Sequence, residues 1–514
     1  MLDDGGLKVD DRGSKLSMDI RLNKPRNTRW ELFRRSALIG FGMFALVFGI
    51  GALPVAFLYF AAEPSQHAGV EVKQLQTKQT QIVAFINVNV VPMDEERVLA
   101  RQTVLVKDGV IAAIGPTDKV KVPSGAVQID GRGKYLMPGL ADMHVHFEVF
   151  NEQATTAMLR LFVANGVTTV LNLYGTPAFL KLRDRVARGE TLGPSIYTSG
   201  PFISNAPVST PTPEEAERQV VAQKREGYDL VKIHGDFSRE AYHRLFEVAR
   251  REGIRVIGHL PRNLGIAAAF EEKQDAIAHA EEYLYAYFFF KAPTSPADAS
   301  QEARLRWIAE QASRIPSVAQ ATAKAGIWVS PTLTVYSGIA RQVEDIDSVL
   351  KRPEMKYLPP WISSQFQTTN NTYVKRFKKD TAKGFFARAD LLSKLVKGLS
   401  DAGVRLLAGT DTPVPAVVPG FSLHDELREL VSAGLTPYQA LRTATANPAE
   451  FLRTDKFGTV SVGKTADLIM VEGDPLKDVT NTSRRSGVMT RGRWFTEEEL
   501  RRMLDEMEAS YAKR

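Results

Sequence analysis

Hydrophobic and polar positions fall into three textures along this chain. The first is one unbroken apolar run, residues 36–62, "SALIGFGMFALVFGIGALPVAFLYFAA", with no charged residue. A helix needs about 20 such residues to cross a bilayer, and Pro54 is tolerable inside a spanning helix. The run therefore predicts one transmembrane helix. Residues 1–35 carry nine Lys/Arg, including Arg29, Arg34 and Arg35, and Glu63 follows the run. The positive-inside bias puts that tail in the cytoplasm and the rest of the chain in the periplasm or outside. A cleaved signal peptide fits less well, because the apolar region is long and lacks a clear small-x-small site despite Ala61 and Ala62. The "RRSAL" pair reads as topogenic charge rather than as a twin-arginine export signal.

The second texture is short β-branched alternation, "IVAFINVNVV", "RQTVLVKDGVIAAIG" and "GAVQIDGRGKYL", which predicts a small antiparallel sheet over 82–135. It returns after Phe457 in "TVSVG", "ADLIMVEG" and "GVMTRGRW". Between these flanks lies the third texture, apolar runs separated by amphipathic helical stretches such as "REAYHRLFEVARREG". The runs are "LADMHVHF", "GVTTVLNLYG", "PSIYTSG", "DLVKIHG", "RVIGHLP", "DAIAHAE", "IWVSPTL" and "VRLLAGTD". That is a βα repeat, and eight units predict a (β/α)₈ TIM barrel of the α/β class. The expected organisation is a tail (1–35), a transmembrane helix (36–62), a linker (63–80), a composite β-sandwich domain (81–138 with 455–496), the barrel (139–454) and a C-terminal helix (497–514). The connection over 334–403 exceeds an ordinary loop and is expected to be a lid or functional insertion.

Composition narrows the chemistry. With 44% hydrophobic and 24% charged residues the chain is globular rather than disordered or fibrous. A net charge of +7 spread over 514 residues, without a basic run in the body, gives no reason to expect nucleic-acid binding. The absence of cysteine excludes disulfides, thiolate catalysis and zinc-thiolate sites, so a metal would be held by His, Asp, Glu or Lys. "GTVSVGKT" (458–465) satisfies the phosphate-loop pattern in form only, because a strand-like "ADLIMV" follows it where such a loop must open a helix.

His144 and His146 are two apart on the first predicted barrel strand, so both project to one side. Taken alone they are either a metal pair or ordinary strand histidines. His259 and His279 lie in the fifth and sixth runs, Lys232 in the fourth, and Asp411 ends the eighth. Barrel active sites collect at the C-terminal strand ends, where these six residues would converge. His67, His243 and His424 are read as linker, helix-surface and helix-packing residues.

These features resemble the amidohydrolase superfamily, specifically its imidazolonepropionase-like branch, which includes metal-dependent Xaa-Pro and Xaa-Arg dipeptidases. The resemblance covers about residues 80–495 and rests on "LMPGLADMHVHF", "GVTTV", "VKI", "GTDTP", "LHDELRELVSAGLTPYQALRTATANPAEFL" and "GTVSVGKTADLIMVEGDPL". It implies two divalent metal ions, with Zn favoured and Mn, Co or Fe also compatible with N/O ligands. His144, His146 and Asp411 would hold one ion, His259 and His279 the second, and Lys232, carboxylated by CO₂, would bridge them. The implied reaction is metal-hydroxide attack on an amide, with Asp411 as base and then acid.

Substrate contacts are expected from His234, which shares a face with Lys232, from Arg262, whose fork suits a carboxylate, and from Tyr336. For His234 a plain filling role at the barrel mouth is equally compatible, and for Arg262 an ordinary surface position is. The "HAEEYLYAYFFF" segment departs from the shorter family ending and suggests an altered pocket, a lid or a membrane-facing surface. The leading reading is hydrolysis of a dipeptide or an N-acyl amino acid by a membrane-tethered enzyme, with homo-oligomers left open. The rivals are hydrolysis of a cyclic amide, lactone or phosphotriester, and a non-catalytic binding scaffold on the same barrel.

Overall fold

β-Branched and aromatic residues crowd the stretch after residue 81, and there the chain forms β1 (Ile82–Val90), β2 (Leu99–Lys107), β3 (Val110–Pro116), β4 (Val127–Asp130) and β5 (Tyr135–Pro138). The computed structural model describes residues 82–147, 152–204, 210–290 and 300–512. The expected transmembrane helix 36–62, its tail and its linker lie outside the described residues. Among the described residues no helix is long and apolar enough to cross a membrane.

β1 pairs antiparallel with β2, and β2 with β3. The β1–β2 register shifts between Phe85 and Val88, where Asn87 adopts a φ of 58°. An Asn tolerates the left-handed region, so it absorbs the extra residue of a bulge. Val83, Phe85, Val88 and Val90 are thereby all buried in one core with Val104, Val106 and Leu136.

After β5 the pattern becomes parallel. β6 (Leu140–Val145), β7 (Val167–Asn172) and β8 (Ser195–Thr198) form one sheet, and β9 (Leu230–Ile233), β10 (Arg255–Gly258), β11 (Ala276–Ala278) and β12 (Trp328–Ser330) form another. Every residue of β6, β7, β9, β11 and β12 is buried. Strands covered on both faces read as continuous apolar runs, which is why periodicity in the sequence marks them. The helices between them are bounded by local chemistry. Thr212 and Glu215 form a capping box at the start of Pro213–Glu226, which stops at Gly227 with φ 86°. Ser238 caps Arg239–Glu252, which stops at Gly253 with φ 63°. Their apolar faces, including Val220, Leu245 and Phe246, pack on Val231, Ile233 and Val256.

Single bridges link the sheets: Ser199 with Leu230, Ile203 with Ile233, Val329 with Leu406, and Val145 with Thr412. The eighth run, 404–412, thus lies between β12 and β6 without becoming a regular strand. Leu407 N donates to Val329 O at 2.9 Å, Met143 N to Ala408 O at 2.8 Å and Asp411 N to His144 O at 2.7 Å. The result is an α/β, TIM-barrel-like domain. The connection over 334–403 is helical, with Leu333–Leu350 broken at Asp345, then Pro360–Phe366, Thr372–Arg376 and Ala382–Asp401.

β13 (Leu468–Val471), β14 (Arg485–Thr490) and β15 (Arg493–Thr496) return to the first sheet, giving the order β15-β14-β13-β5-β1-β2-β3 with β4 on β1. The eight strands of the expected composite β domain pair as one branched sheet. The cause is the length of β1, whose nine residues pair with β4 over Val83–Ile86 and with β5 at Asn89 and Val90. In the false phosphate loop, Lys464 Nζ donates to Phe457 O at 3.1 Å and β13 follows.

Arg485 ties this sheet to the parallel domain. Its Nε donates to Ala164 O at 3.0 Å and its Nη2 to Asn165 Oδ1 at 3.1 Å. Buried His424 sits beside it, with Nδ1 2.9 Å from Thr482 Oγ1 and Nε2 3.0 Å from Asn165 O. Arg485 therefore satisfies one carbonyl, Ala164 O, that the C-terminal end of helix Glu152–Ala164 leaves open. Arg485→Met should cost about 1–3 kcal/mol of stability, read as a lower chemical-denaturation midpoint. An unchanged midpoint would show that water serves Ala164 O and Asn165 Oδ1 equally well.

Candidate metal centre

On β6 and just beyond it, Asp142, His144 and His146 alternate with Ala141, Met143 and Val145. Asp142 is fully buried and accepts three hydrogen bonds, from His144 N at 3.2 Å, Thr410 N at 3.1 Å and Thr410 Oγ1 at 2.7 Å. Burial still raises its carboxyl to about 7. This clamp fixes residue 411, which takes a φ of 58°. Outside glycine that conformation is uncommon and is held by surrounding contacts. It brings Asp411 Oδ1 to 3.2 Å from His144 Nε2 and 3.0 Å from His146 Nε2. The ligand atoms of these three residues lie within 4.8 Å of one another.

The remaining expected residues arrive from β9, β10 and β11. Lys232 Nζ is 3.5 Å from His144 Nε2, and the side chain is 1% exposed. The His144 and His279 ring centroids are 4.4 Å apart, and those of His259 and His279 are 4.8 Å apart. All six residues singled out from the sequence come together.

Electrostatics suit cation binding. Burial holds His144, His259 and His279 well below the ordinary histidine range, with Lys232 adding to the effect on His144 and His234 to that on His259. These imidazoles are neutral, the form that ligates metals. Burial lowers the Lys232 ammonium from 10.5 to about 7. For Asp411, burial acts to raise the carboxyl, and the hydrogen bonds from His144 and His146 to its Oδ1 act the other way and favour the anion.

The outer contacts fit the same purpose. His259 Nδ1 lies 3.0 Å from Glu282 Oε1, and His279 Nδ1 lies 2.8 Å from Thr332 Oγ1. Engaging Nδ1 fixes each ring and leaves Nε2 for a cation. The donor set therefore fits divalent metal ions. Thr332 has a φ of 49° and opens helix Leu333–Leu350, whose Leu333 and Thr334 amides donate to Glu426 at 3.1 and 2.8 Å. Asp142, Thr332, Glu282 and Glu426 were not singled out for these roles from the sequence. Only Asp142 carried a usable signal, a carboxylate inside an apolar run in step with two histidines.

The expected substrate contacts divide. His234 stacks on Phe202 at 5.1 Å, sits 4.3 Å from the His259 ring, and has a buried Nδ1 without a partner among the described residues. Arg262 is ion-paired with Glu282 at 3.0 Å and lies over the Tyr285 ring at 3.9 Å, so its fork is already committed within the protein. Tyr336 is buried and interacts with Arg388 and Tyr285. In the aromatic segment after His279, Tyr283, Leu284 and Phe288 are buried while Tyr285, Tyr287, Phe289 and Phe290 are half-buried, and Tyr283 Oη is 3.0 Å from Thr322 Oγ1. Glu281 is also buried, and burial followed by repulsion from Glu282 raises its carboxyl to about 8. His243 is exposed and 2.7 Å from Glu272, as a surface residue would be, and His67 lies outside the described residues.

Comparison with known proteins gives the family. The amidohydrolase family profile matches residues 135–495, well over half of the chain. The chain belongs to the amidohydrolase family, a class of enzymes. It is 36% identical over 112 residues to an enamidase of Eubacterium barkeri, a match spanning 20% of this chain and 28% of that protein. Its fold is similar to that of bottromycin amidohydrolase, with a TM-score of 0.65, 24% identity and coverage of 84% of this chain and 91% of that one. A solved Xaa-Pro dipeptidase gives a TM-score of 0.58 at 19% identity, covering 81% and 100%.

Two outcomes follow from the packing around the site. A Cβ on Gly409 would lie 2.7 Å from His144 Cβ and 2.8 Å from Ser330 Oγ. Gly409→Ala should therefore displace His144, lower stability by about 1–3 kcal/mol and reduce metal bound per chain in elemental analysis. Full metal content in a stable variant would contradict this.

Glu426 is raised from 4.5 to about 8 by burial, against the two amide hydrogen bonds that favour its charge. The native state thus keeps a proton that the unfolded chain releases near 4.5. The associated stability is present below about pH 4.5 and is lost as pH rises toward about 8. Glu426→Gln should flatten that loss when unfolding free energies of mutant and wild type are compared from pH 4.5 to 9. Parallel profiles would show that Glu426 does not titrate there.

Proposed function

We propose that this chain is a binuclear metal-dependent hydrolase that cleaves the amide C–N bond of a dipeptide or an N-acyl amino acid. The observation that carries the reading is one cluster in which His144 and His146 meet Asp411, Lys232 meets His144, and His279 and His259 follow by ring contacts, with Nδ1 of His259 and of His279 already engaged. His144, His146 and Asp411 would hold one ion, and His259 and His279 the other. Lys232, carboxylated at Nζ by CO₂ with loss of one proton, would help to hold them. When bound, the ions supply Lewis acidity and lower the pKa of a water from ~15.7 toward ~7.

Asp411 has the geometry of a proton carrier. Its Oδ1 is fixed between two histidines and held anionic, so it takes a proton from the attacking water and passes it to the leaving nitrogen. The products are a carboxylic acid and an amine. His234, stacked on Phe202 and beside the His259 ring, would line the site next to the metals. We read the two parallel sheets and segment 404–412 as a closed (β/α)₈ barrel over 139–454, because each consecutive pair of staves is joined by a ladder or a bridge. The apolar run at 36–62 and the Lys/Arg bias before it support a membrane anchor with this domain in the periplasm or outside.

Asp411→Asn should lower kcat by about 10²–10⁴-fold while circular dichroism still reports the folded protein. Elemental analysis of the full-length chain should give about two ions in the wild type and markedly fewer in Lys232→Ala. One ion in both proteins would sink the binuclear reading and make Lys232 structural.

A further inference from the structure

A hollow separate from the metal centre lies between helices Leu333–Leu350, Ala382–Asp401 and Phe421–Ser432. Leu333, Ser337 and Arg341 recur every four residues on the first helix, and Phe386, Ala389, Asp390 and Ser393 share one face of the second. Ser337, Ala389 and Ser393 are small, so the facing sides of the two helices leave space between them. That space measures about 230 Å³, and a cavity of about 150 Å³ already admits benzene. Among the described residues its lining includes none of the six residues of the metal centre.

The walls differ in character. Leu333 and Tyr336 are each 3% exposed and form an apolar floor, while Phe386, 36% exposed, stands at the rim. Two carboxylates and one guanidinium complete the lining. Arg341 Nη2 is committed to Glu429 Oε1 at 2.8 Å and to Ser337 Oγ at 2.7 Å. Asp390 pairs at 2.7 Å with Lys394, one turn along its own helix and outside the lining. Both members of that pair are more than half exposed, and an exposed pair holds its acid weakly. The lining thus carries one excess negative charge beside two aromatic rings. Acids and ring faces together attract organic cations.

We infer that this cavity is a ligand site for a small organic ammonium ion with an apolar body of about one ring. The body lies on Leu333, Tyr336 and Ala389, and the ammonium sits at the rim between Asp390 and Phe386. The inference is independent of the hydrolase reading, because no metal-centre residue takes part.

The test titrates the full-length protein with phenethylammonium chloride and with 2-phenylethanol, its uncharged counterpart, by ligand-observed NMR. The wild type should bind the ammonium at least ~5-fold more tightly than the alcohol. Asp390→Asn should remove most of that preference while the alcohol binds as before. Ala389→Phe and Ser393→Leu each fill the cavity and should abolish saturable binding of both ligands. Melting temperatures establish that each variant is folded, and either filled variant suffices if the other is not. Equal affinity for the two ligands in the wild type, or no saturable binding of either, overturns the inference. So does binding that persists in a folded, filled variant, or a preference unmoved by Asp390→Asn.

Discussion

The carboxylate of Asp142 joins two parts of the chain 268 residues apart in sequence, and the geometry of the site depends on it. Segment 404–412 has no continuous ladder of its own, only single bridges at Leu406 and Thr412. What fixes its end is one buried carboxylate taking the amide and hydroxyl of Thr410 while also accepting the amide of His144. In a low-dielectric interior each of these bonds is strong, and leaving any of them unmade is expensive. The left-handed turn at Asp411 is held by this stitch together with the bond from Asp411 N to His144 O. Without it, Asp411 Oδ1 would have no reason to stand between the two histidines.

Around this stitch the site is built in successive rings. Neutral, buried imidazoles form the inner one, and each of the rings at His259 and His279 is oriented by a different element. Glu282 orients His259 from the segment following β11, and Thr332 orients His279 from the start of helix Leu333–Leu350. Thr332 is in turn followed by two amides held by buried Glu426 on helix Phe421–Ser432. Residues far apart in the chain therefore act on one ring through rigid, saturated hydrogen bonds. A small displacement in the supporting layer reaches the ring directly, because interiors packed this closely have little slack.

The long insertion contributes more than cover. Its Tyr336 interacts with Tyr285 of the aromatic segment after His279, and Tyr283 of that segment meets helix Ile315–Ala325 at Thr322. The flanking sheet is clamped to the parallel domain through Arg485 and His424 at the C-terminal end of helix Glu152–Ala164, a junction that keeps β13 and β14 in place behind β5.

By itself, the sequence determined the order of strands, because buried parallel strands write themselves as apolar runs and the caps at Thr212 and Ser238 are local. It also determined the donor inventory, since parity on β6 and the ends of the other runs place His144, His146, Lys232, His259, His279 and Asp411. Only the tertiary structure decided which groups are already spoken for. Arg262 looked available for substrate and is bound to Glu282, whereas the buried Nδ1 of His234 has no partner among the described residues. The branched sheet on β1 was likewise invisible, because pairing with two strands at once depends on where β4 and β5 arrive. The physical reason is common to all of these. Periodicity and capping are set by residues a few positions apart, but partnership between buried charges is set by contacts that exist only after distant segments have closed on one another.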